Sequence, residues 1–191
     1  EMKNTILILI SLLFLTGCME EKDVSSLQDR NGIKYEINSE VGFTGKYVEK
    51  HENGQKMVEE HLKLGKRDGL YLRWFENGQK QEESNYKDGL IDGLVTIWYF
   101  FPNRQKMLEG NFKNGKREGF LTMWYENGLK KEEGNYKNGK GEGLHNGWYE
   151  NGQKKVEGNF KDEEKDGLWT WWDEEGNVTE TETYKDDKLV K

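Results

Sequence analysis

Between residues 43 and 191 the alternation of apolar and polar positions repeats with a fixed period, and the period is set by glycine and tryptophan. Glycine recurs at Gly45, Gly69, Gly93, Gly119, Gly143 and Gly167, at steps of 24, 24, 26, 24 and 24 residues. Five residues on come Trp74, Trp98, Trp124, Trp148 and Trp172, with Phe75, Tyr99, Tyr125 and Tyr149 beside the first four. Asn-Gly follows at 53–54, 77–78, 127–128 and 151–152. An aromatic-Lys pair closes each unit: Tyr86-Lys87, Phe112-Lys113, Tyr136-Lys137, Phe160-Lys161 and Tyr184-Lys185. A second turn pair comes next, as Asp88-Gly89, Asn114-Gly115 or Asn138-Gly139. Self-similarity at this spacing is the signature of a repeat array.

Asn-Gly and Asp-Gly favour two-residue type I′ turns, which need positive φ at both central positions. Each unit carries two such signals about ten residues apart, and strands of about five to eight residues fit between them. The expected fold is all-β: an elongated, single-layer antiparallel meander of about six 24-residue hairpins. If Asn127-Gly128 is a two-residue loop, Glu126 faces Leu129 and Tyr136 falls opposite Gly119. The same count places Tyr86 opposite Gly69, Phe160 opposite Gly143 and Tyr184 opposite Gly167. In the 26-residue unit the two extra residues enlarge a loop at Phe101-Pro102-Asn103-Arg104, so Phe112 still falls opposite Gly93. A glycine lets an aromatic ring lie across the backbone, so the expectation is an aromatic-over-glycine seam. A lone unit buries too little to order itself, so the array depends on contacts between neighbours.

Composition changes this picture little. Charged residues make up 34 % and hydrophobic ones 33 % of the chain, with a mean hydropathy of −1.05. That balance leans towards disorder. The 13 % of aromatic residues, seven Trp among them, opposes it and argues for a thin fold. The net charge of −7 disfavours binding to a phosphate backbone, so nucleic acid is not an expected partner. A single cysteine excludes an intrachain disulfide framework and a multi-cysteine metal site.

The N-terminus has a different pattern. Lys3 supplies a positive charge, and Ile6 to Leu15 is apolar except for Ser11. Ten helical residues rise about 15 Å, roughly half a bilayer core, which suits an export signal rather than a span. Leu15-Thr16-Gly17-Cys18 ends the run. This box resembles the lipobox of bacterial lipoproteins. The resemblance implies cleavage before Cys18 and lipid attachment to its thiol, hence a protein anchored to the cell membrane or outer membrane and facing away from the cytoplasm. Residues 1–17 are read as a signal helix, 18–40 as a polar tether, and 41–191 as the repeat domain.

The repeat, written Gly-Asn-Tyr-Lys-Asn-Gly-Lys-x-Glu-Gly-x-x-x-x-Trp-Tyr-Glu-Asn-Gly, resembles the MORN repeat in its bacterial variant. The same pattern occurs in proteins labelled YwqK-family antitoxins. The resemblance covers about residues 43–191 and is strong for 69–172. The first unit departs, with Lys50-His51 in place of Trp-aromatic, and the last has Glu175-Gly176 for Asn-Gly. It implies an elongated twisted sheet, a scaffold or binding role, and no shared catalytic site.

Candidate chemistry is sparse. Gly110 to Lys116 spells most of a phosphate-binding loop, but Arg117 stands where the magnesium-binding Ser or Thr belongs, and a strand replaces the expected helix. His51, His61 and His145 are scattered between units. Adjacent acids such as Glu132-Glu133 point to opposite faces of a strand. No enzyme, metal or cofactor is expected. The recognition candidates are Phe101, in the enlarged loop, and Trp169 and Trp171, which share one face of the last unit. Exposed aromatics at an array end mark contact surfaces. The expected function is a membrane-anchored protein-interaction scaffold. An antitoxin or immunity protein and a cell-wall glycan binder are the alternatives.

Overall fold

A computed structural model describes residues 27–100 and 104–190. The described residues form strands and turns and no helix. The strands are β1 (Gln28–Arg30), β2 (Ile33–Tyr35), β3 (Gly45–Lys50), β4 (Lys56–Lys63), β5 (Lys66–Trp74), β6 (Lys80–Lys87), β7 (Leu90–Trp98) and β8 (Lys106–Lys113). They continue as β9 (Lys116–Trp124), β10 (Lys130–Lys137), β11 (Lys140–Trp148), β12 (Lys154–Lys161), β13 (Glu164–Lys165), β14 (Gly167–Trp172), β15 (Val178–Lys185) and β16 (Lys188–Leu189). From β3 to β16 they make one open antiparallel meander, each strand beside its chain neighbour, with the short β13 paired to β12. Six hairpins repeat along it. The signal segment and Cys18 lie outside the described residues, as does Phe101.

The expected register holds: Gly69 pairs with Tyr86, Gly93 with Phe112, Gly119 with Tyr136, Gly143 with Phe160 and Gly167 with Tyr184. The route to it differs. The Asn127-Gly128 turn is not a two-residue type I′ loop. Tyr125 N–H donates to the Leu129 carbonyl, Gly128 N–H donates to the Tyr125 carbonyl, and Gly128 alone takes positive φ, at 84°. This is a three-residue loop closed by a left-handed glycine. The Asn127 side-chain oxygen accepts from Leu129 N–H at 2.9 Å, which favours this form. The extra loop residue is then cancelled by a bulge: Lys130 pairs with Trp124 but Glu132 pairs with Met123, leaving Lys131 unopposed.

The second turns are type I′ as expected, with Asn138 at φ 53° and Gly139 at 89°. Beyond each lies a wider bulge. Gly134 pairs with His145 and Tyr136 with Gly141, so Asn135 alone faces Glu142, Gly143 and Leu144. The period glycines occupy these bulges. Gly69, Gly93, Gly119, Gly143 and Gly167 have φ of 116°, 125°, 79°, 75° and 96°, a region closed to most L side chains. The expected aromatic cover is absent. A Cβ built on Gly119, Gly143 or Gly167 would meet no atom within 4 Å. Gly119, Gly143 and Gly167 are needed for backbone angle, not for close approach of a ring, while Gly69 and Gly93 also meet the His61 and Asn85 side chains at 3.2 and 3.3 Å.

Each repeat is stitched to the next at both edges. At the first-turn edge, Tyr99, Tyr125 and Tyr149 hydroxyls donate to the carbonyls of Trp124, Trp148 and Trp172. Asn53, Asn127 and Asn151 amides donate to the Glu76, Glu150 and Glu174 carbonyls. In the atypical first unit His51 replaces the tyrosine, and its Nε2 donates to the Trp74 carbonyl at 3.0 Å. At the other edge the acid before Gly69, Gly93, Gly119 and Gly143 accepts a turn N–H, as Glu118 from Asn138 at 2.8 Å and Glu142 from Asp162 at 3.2 Å.

Of the segment read as a polar tether, residues 27–40 are described. β1 and β2 form a hairpin. Lys34 N–H donates to the Gly65 carbonyl, Phe43 N–H to the Lys34 carbonyl and Gly65 N–H to the Phe43 carbonyl. Phe43, Tyr47 and Leu62 then make a small buried cluster with Leu27 against it. The hairpin covers the β3 end of the array, as a cap does in other repeat proteins.

Candidate functional site

The two faces of the sheet carry different chemistry. On one face, a buried row crosses the strands at right angles. Its large members are Tyr47, Tyr71, Val95, Leu121, His145 and Trp169. Between them, in register, lie Glu60, Ser84, Gly110, Gly134 and Gly158. Leu121 is only 2 % exposed and Trp169 only 5 %. A flat single layer cannot bury side chains so far. Bulges increase twist and bend strands, and large-next-to-small packing lets each side chain lie over its neighbour strand. Here ring does cover glycine, but at a different set. A Cβ on Gly134 would fall 2.0 Å from His145 Cδ2, and one on Gly158 would fall 2.1 Å from Trp169 Cδ2.

From β10 to β14 this row and its neighbours join into one path of rings. His145 meets Tyr136 edge-on at 5.1 Å and Phe160 at 4.9 Å. Phe160 meets Trp169 at 4.9 Å, and Trp169 stacks on Trp171 at 5.9 Å. Such pairs contribute about 0.5–1.5 kcal/mol each beyond burial. His145 Nδ1 donates to the Gly143 carbonyl at 3.2 Å, and Nε2 is buried without a partner. Burial pushes the Tyr136 hydroxyl above its ordinary pKa, with Glu132 adding to the rise. The same cause, burial, raises Tyr71.

At the β3 end the row holds Glu60, 1 % exposed. Arg67 Nε donates to Glu60 Oε2 at 2.6 Å. Lys34 Nζ lies 3.1 Å from Oε1 but off its hydrogen-bonding direction, so that oxygen has a charge neighbour and no hydrogen bond. The pair ties β2 to β4 and β5.

The opposite face carries a Lys-Trp ladder. The Nζ atoms of Lys56, Lys80, Lys106, Lys130 and Lys154 lie 5.6–5.9 Å from the rings of Trp74, Trp98, Trp124, Trp148 and Trp172. Each lysine also pairs with the glutamate three residues on, as Lys56 with Glu59 at 2.6 Å and Lys80 with Glu83 at 2.6 Å. The period tryptophans are therefore clamps between repeats. At exposed sites each cation-π contact contributes about 0.5–1 kcal/mol. Further along the same face, Leu94, Phe120, Leu144 and Leu168 stand 45–56 % exposed. They form one row at about 9.6 Å, two strand spacings.

Of the sequence candidates, Trp169 and Trp171 do share one face. Trp169 is not an exposed tip, however: β15 and β16 follow it, and it forms part of the floor of the ring path. The phosphate-loop spelling Gly110 to Lys116 runs through β8 and its turn into β9, with no helix after it. Among the described residues no group of three or more His, Cys, Asp or Glu converges as metal ligands do. Sequence reasoning missed His145 and the glycines at 110, 134 and 158. Their signal was present: a small residue two places before four of the five closing aromatics, at Ser84, Gly110, Gly134 and Gly158.

No curated protein matches this chain. The family model described as the MORN repeat variant matches residues 67–88, 117–138, 142–162 and 165–186, so four of the six hairpins, β5–β6, β9–β10, β11–β12 and β14–β15, carry the MORN repeat variant.

Proposed function

We propose that this protein is a non-enzymatic scaffold, lipid-anchored at the cell envelope through Cys18, whose repeat sheet binds another protein. One observation carries the scaffold half. The sheet presents the same side chains at every repeat, on two chemically distinct faces, rather than converging a few on one point. The exposed row Leu94, Phe120, Leu144 and Leu168 supports it, because a regular apolar row left to water is unusual outside contact surfaces. MORN repeats are in general protein- and membrane-interaction motifs and not typically enzymes, which agrees with this reading. The anchor half rests on the lipobox Leu15-Thr16-Gly17-Cys18 and the apolar run before it. A multiply acylated terminus holds a protein at a bilayer, where one short chain would be marginal.

The two halves are tested separately. Cys18→Ser followed by membrane fractionation should move the protein out of the membrane pellet, and an unchanged pellet fraction would refute the anchor. For the scaffold, a photo-crosslinker at Leu144 should trap a discrete partner in envelope extracts. A crosslinker on the turn at Asn114 should not. Equal, diffuse labelling from both positions would count against a dedicated face.

A further inference from the structure

The ring-bearing face has one break in its pattern. Beside the buried row runs a second row, to which successive hairpins contribute Arg73, Ile97, Met123, Gly147 and Trp171. Four repeats place a long side chain there and the fifth places none. A cavity of about 310 Å³ opens over Gly147, walled by Val156, Phe160 and Trp169. Val156 has leaned partly in, since a Cβ on Gly147 would fall 2.9 Å from its Cγ1. The volume lies at the small end for ligand sites, near the roughly 300 Å³ at which they begin, and suits one large side chain.

The rim is as particular as the floor. The first bulge of each hairpin leaves one residue unopposed. In β4, β6 and β8 these are Met57, Gln81 and Met107; in β10 and β12 they are Lys131 and Lys155. Lysine thus enters the bulges on the two strands that flank Gly147, and both lysines line the cavity. Each Nζ lies over a tyrosine ring, Lys131 at 5.7 Å from Tyr125 and Lys155 at 5.4 Å from Tyr149. Among the described residues neither has a carboxylate within salt-bridge distance, unlike Lys130 and Lys154 one residue before them. Glu132, the one acid in the lining, sits beside the Tyr136 hydroxyl.

We propose that this cavity binds an extended acidic peptide segment. One large apolar side chain of the segment seats over Gly147 against Phe160 and Trp169, and carboxylates on either side of it meet Lys131 and Lys155. The spacing favours a peptide over a small acid. Lys131 and Lys155 stand on β10 and β12, two strand spacings or about 9.6 Å apart. One carboxylate is too small to serve both, whereas acids two or three residues apart in an extended chain span about 7–10 Å. The cavity lies on the face opposite the Leu94–Leu168 row, so it adds a second contact to the scaffold reading above, with its own partner chemistry, and does not depend on the lipid anchor.

The test uses the full chain in mild detergent and a fluorescein-labelled Asp-Glu-Phe-Glu-Asp peptide, read by polarisation. Saturable binding that weakens with salt is expected. Replacing the peptide's Phe by Ala should weaken it about tenfold to a hundredfold, the burial of one side chain. Lys131→Glu with Lys155→Glu, both exposed, should abolish binding; circular dichroism checks that the fold survives the loss of their two tyrosine contacts. Gly147→Met should fill the cavity and weaken binding at least about tenfold; circular dichroism confirms folding, which Met123 at the same place in another repeat makes expected. No binding of the unmodified protein at millimolar peptide would overturn the proposal. So would undiminished binding by the charge-reversed protein, or free phenylacetate competing as tightly as the peptide. A chain that binds the peptide yet stays in the membrane as Cys18→Ser refutes the anchor alone; one that releases but never binds refutes this site alone.

Discussion

The two sets of glycines should respond oppositely to the same pair of substitutions. Gly158 lies under Trp169, and Gly158→Ala puts a carbon 2.1 Å from Trp169 Cδ2. Ordinary contact begins near 3.4 Å, so the ring must move by about 1.3 Å, the difference of the two. It has little freedom. Phe160 and Trp171 pack its two sides at 4.9 and 5.9 Å, and its Nε1 donates to the Asn159 carbonyl at 3.2 Å. The cost belongs at the upper end of overpacking, about 2–3 kcal/mol. Gly110→Ala meets Leu121 Cγ at 2.9 Å, a smaller displacement of a side chain that turns more easily, and should cost about 1 kcal/mol. Gly143 has open space but φ of 75°. Gly143→Ala should cost about 1–2 kcal/mol for backbone strain alone. Asparagine separates the causes, because it tolerates the left-handed region but is larger than alanine. Gly143→Asn should cost less than Gly143→Ala, while Gly158→Asn should cost more than Gly158→Ala. Urea midpoints by tryptophan fluorescence and by circular dichroism rank all five. The reasoning fails if asparagine shifts both positions in the same direction relative to alanine, or if Gly158→Ala is neutral.

Four further outcomes follow from the stitching. Arg67→Met leaves the Glu60 carboxylate buried with its hydrogen bond gone; a loss of about 3 kcal/mol is expected, and adding Glu60→Ser should recover most of it, because Ser84 fills the same row one repeat on. Tyr125→Phe deletes the bond to the Trp148 carbonyl and should cost about 1 kcal/mol, read as faster amide exchange at the β9–β10 and β11–β12 turns. Burial alone would raise the Glu59 carboxyl, but hydrogen bonds from Lys56 and Lys46 lower it below the usual value. Its contribution is therefore full above the unfolded pKa, about 4.3, and lost as pH falls through the lower folded value. Lys46→Met with Lys56→Met should remove that acid limb from the pH-stability curve. The hydrogen bond to Glu182 holds the Tyr184 hydroxyl at about 12, so ultraviolet titration should show a late phenol that Glu182→Gln returns towards 10.

The register was legible in the sequence for a reason that conceals an error. Counting Asn127-Gly128 as a two-residue loop sets Tyr136 opposite Gly119. The real loop is one residue longer, and the bulge at Lys131 removes the difference. Any array whose period is preserved must close this way, so pairing distance survives while local geometry does not. The period glycines were misread for the same cause. Opposite an aromatic on a ladder, a glycine reads as a contact. In a one-against-three bulge the backbone turns away, and the ring leans instead towards the buried row. The β1–β2 hairpin escaped notice because three-residue strands show no alternation, although its own turn, Asn31-Gly32, is an Asn-Gly pair with φ of 57° and 80°.

The candidate site was the least legible part, and the physics of a repeat explains why. Positions that recur are held by what every hairpin needs: a glycine for the bulge, a tryptophan under the preceding hairpin's lysine, a tyrosine or His51 to reach the next carbonyl. Selection for stacking explains them, so they carry no information about a partner. The informative positions are those where one repeat departs and stacking does not demand it. Gly147 forgoes a side chain that four other repeats supply, and the bulges on both flanking strands turn basic together. A single departure is tolerable drift. Departures on three successive strands, meeting at one cavity with apolar walls, form a composite that only the register assembles. Lys131 and Lys155 are 24 residues apart in the chain, and Gly147 is midway in space but not in sequence. Consensus therefore indicates how this array stands, and its exceptions indicate what it holds.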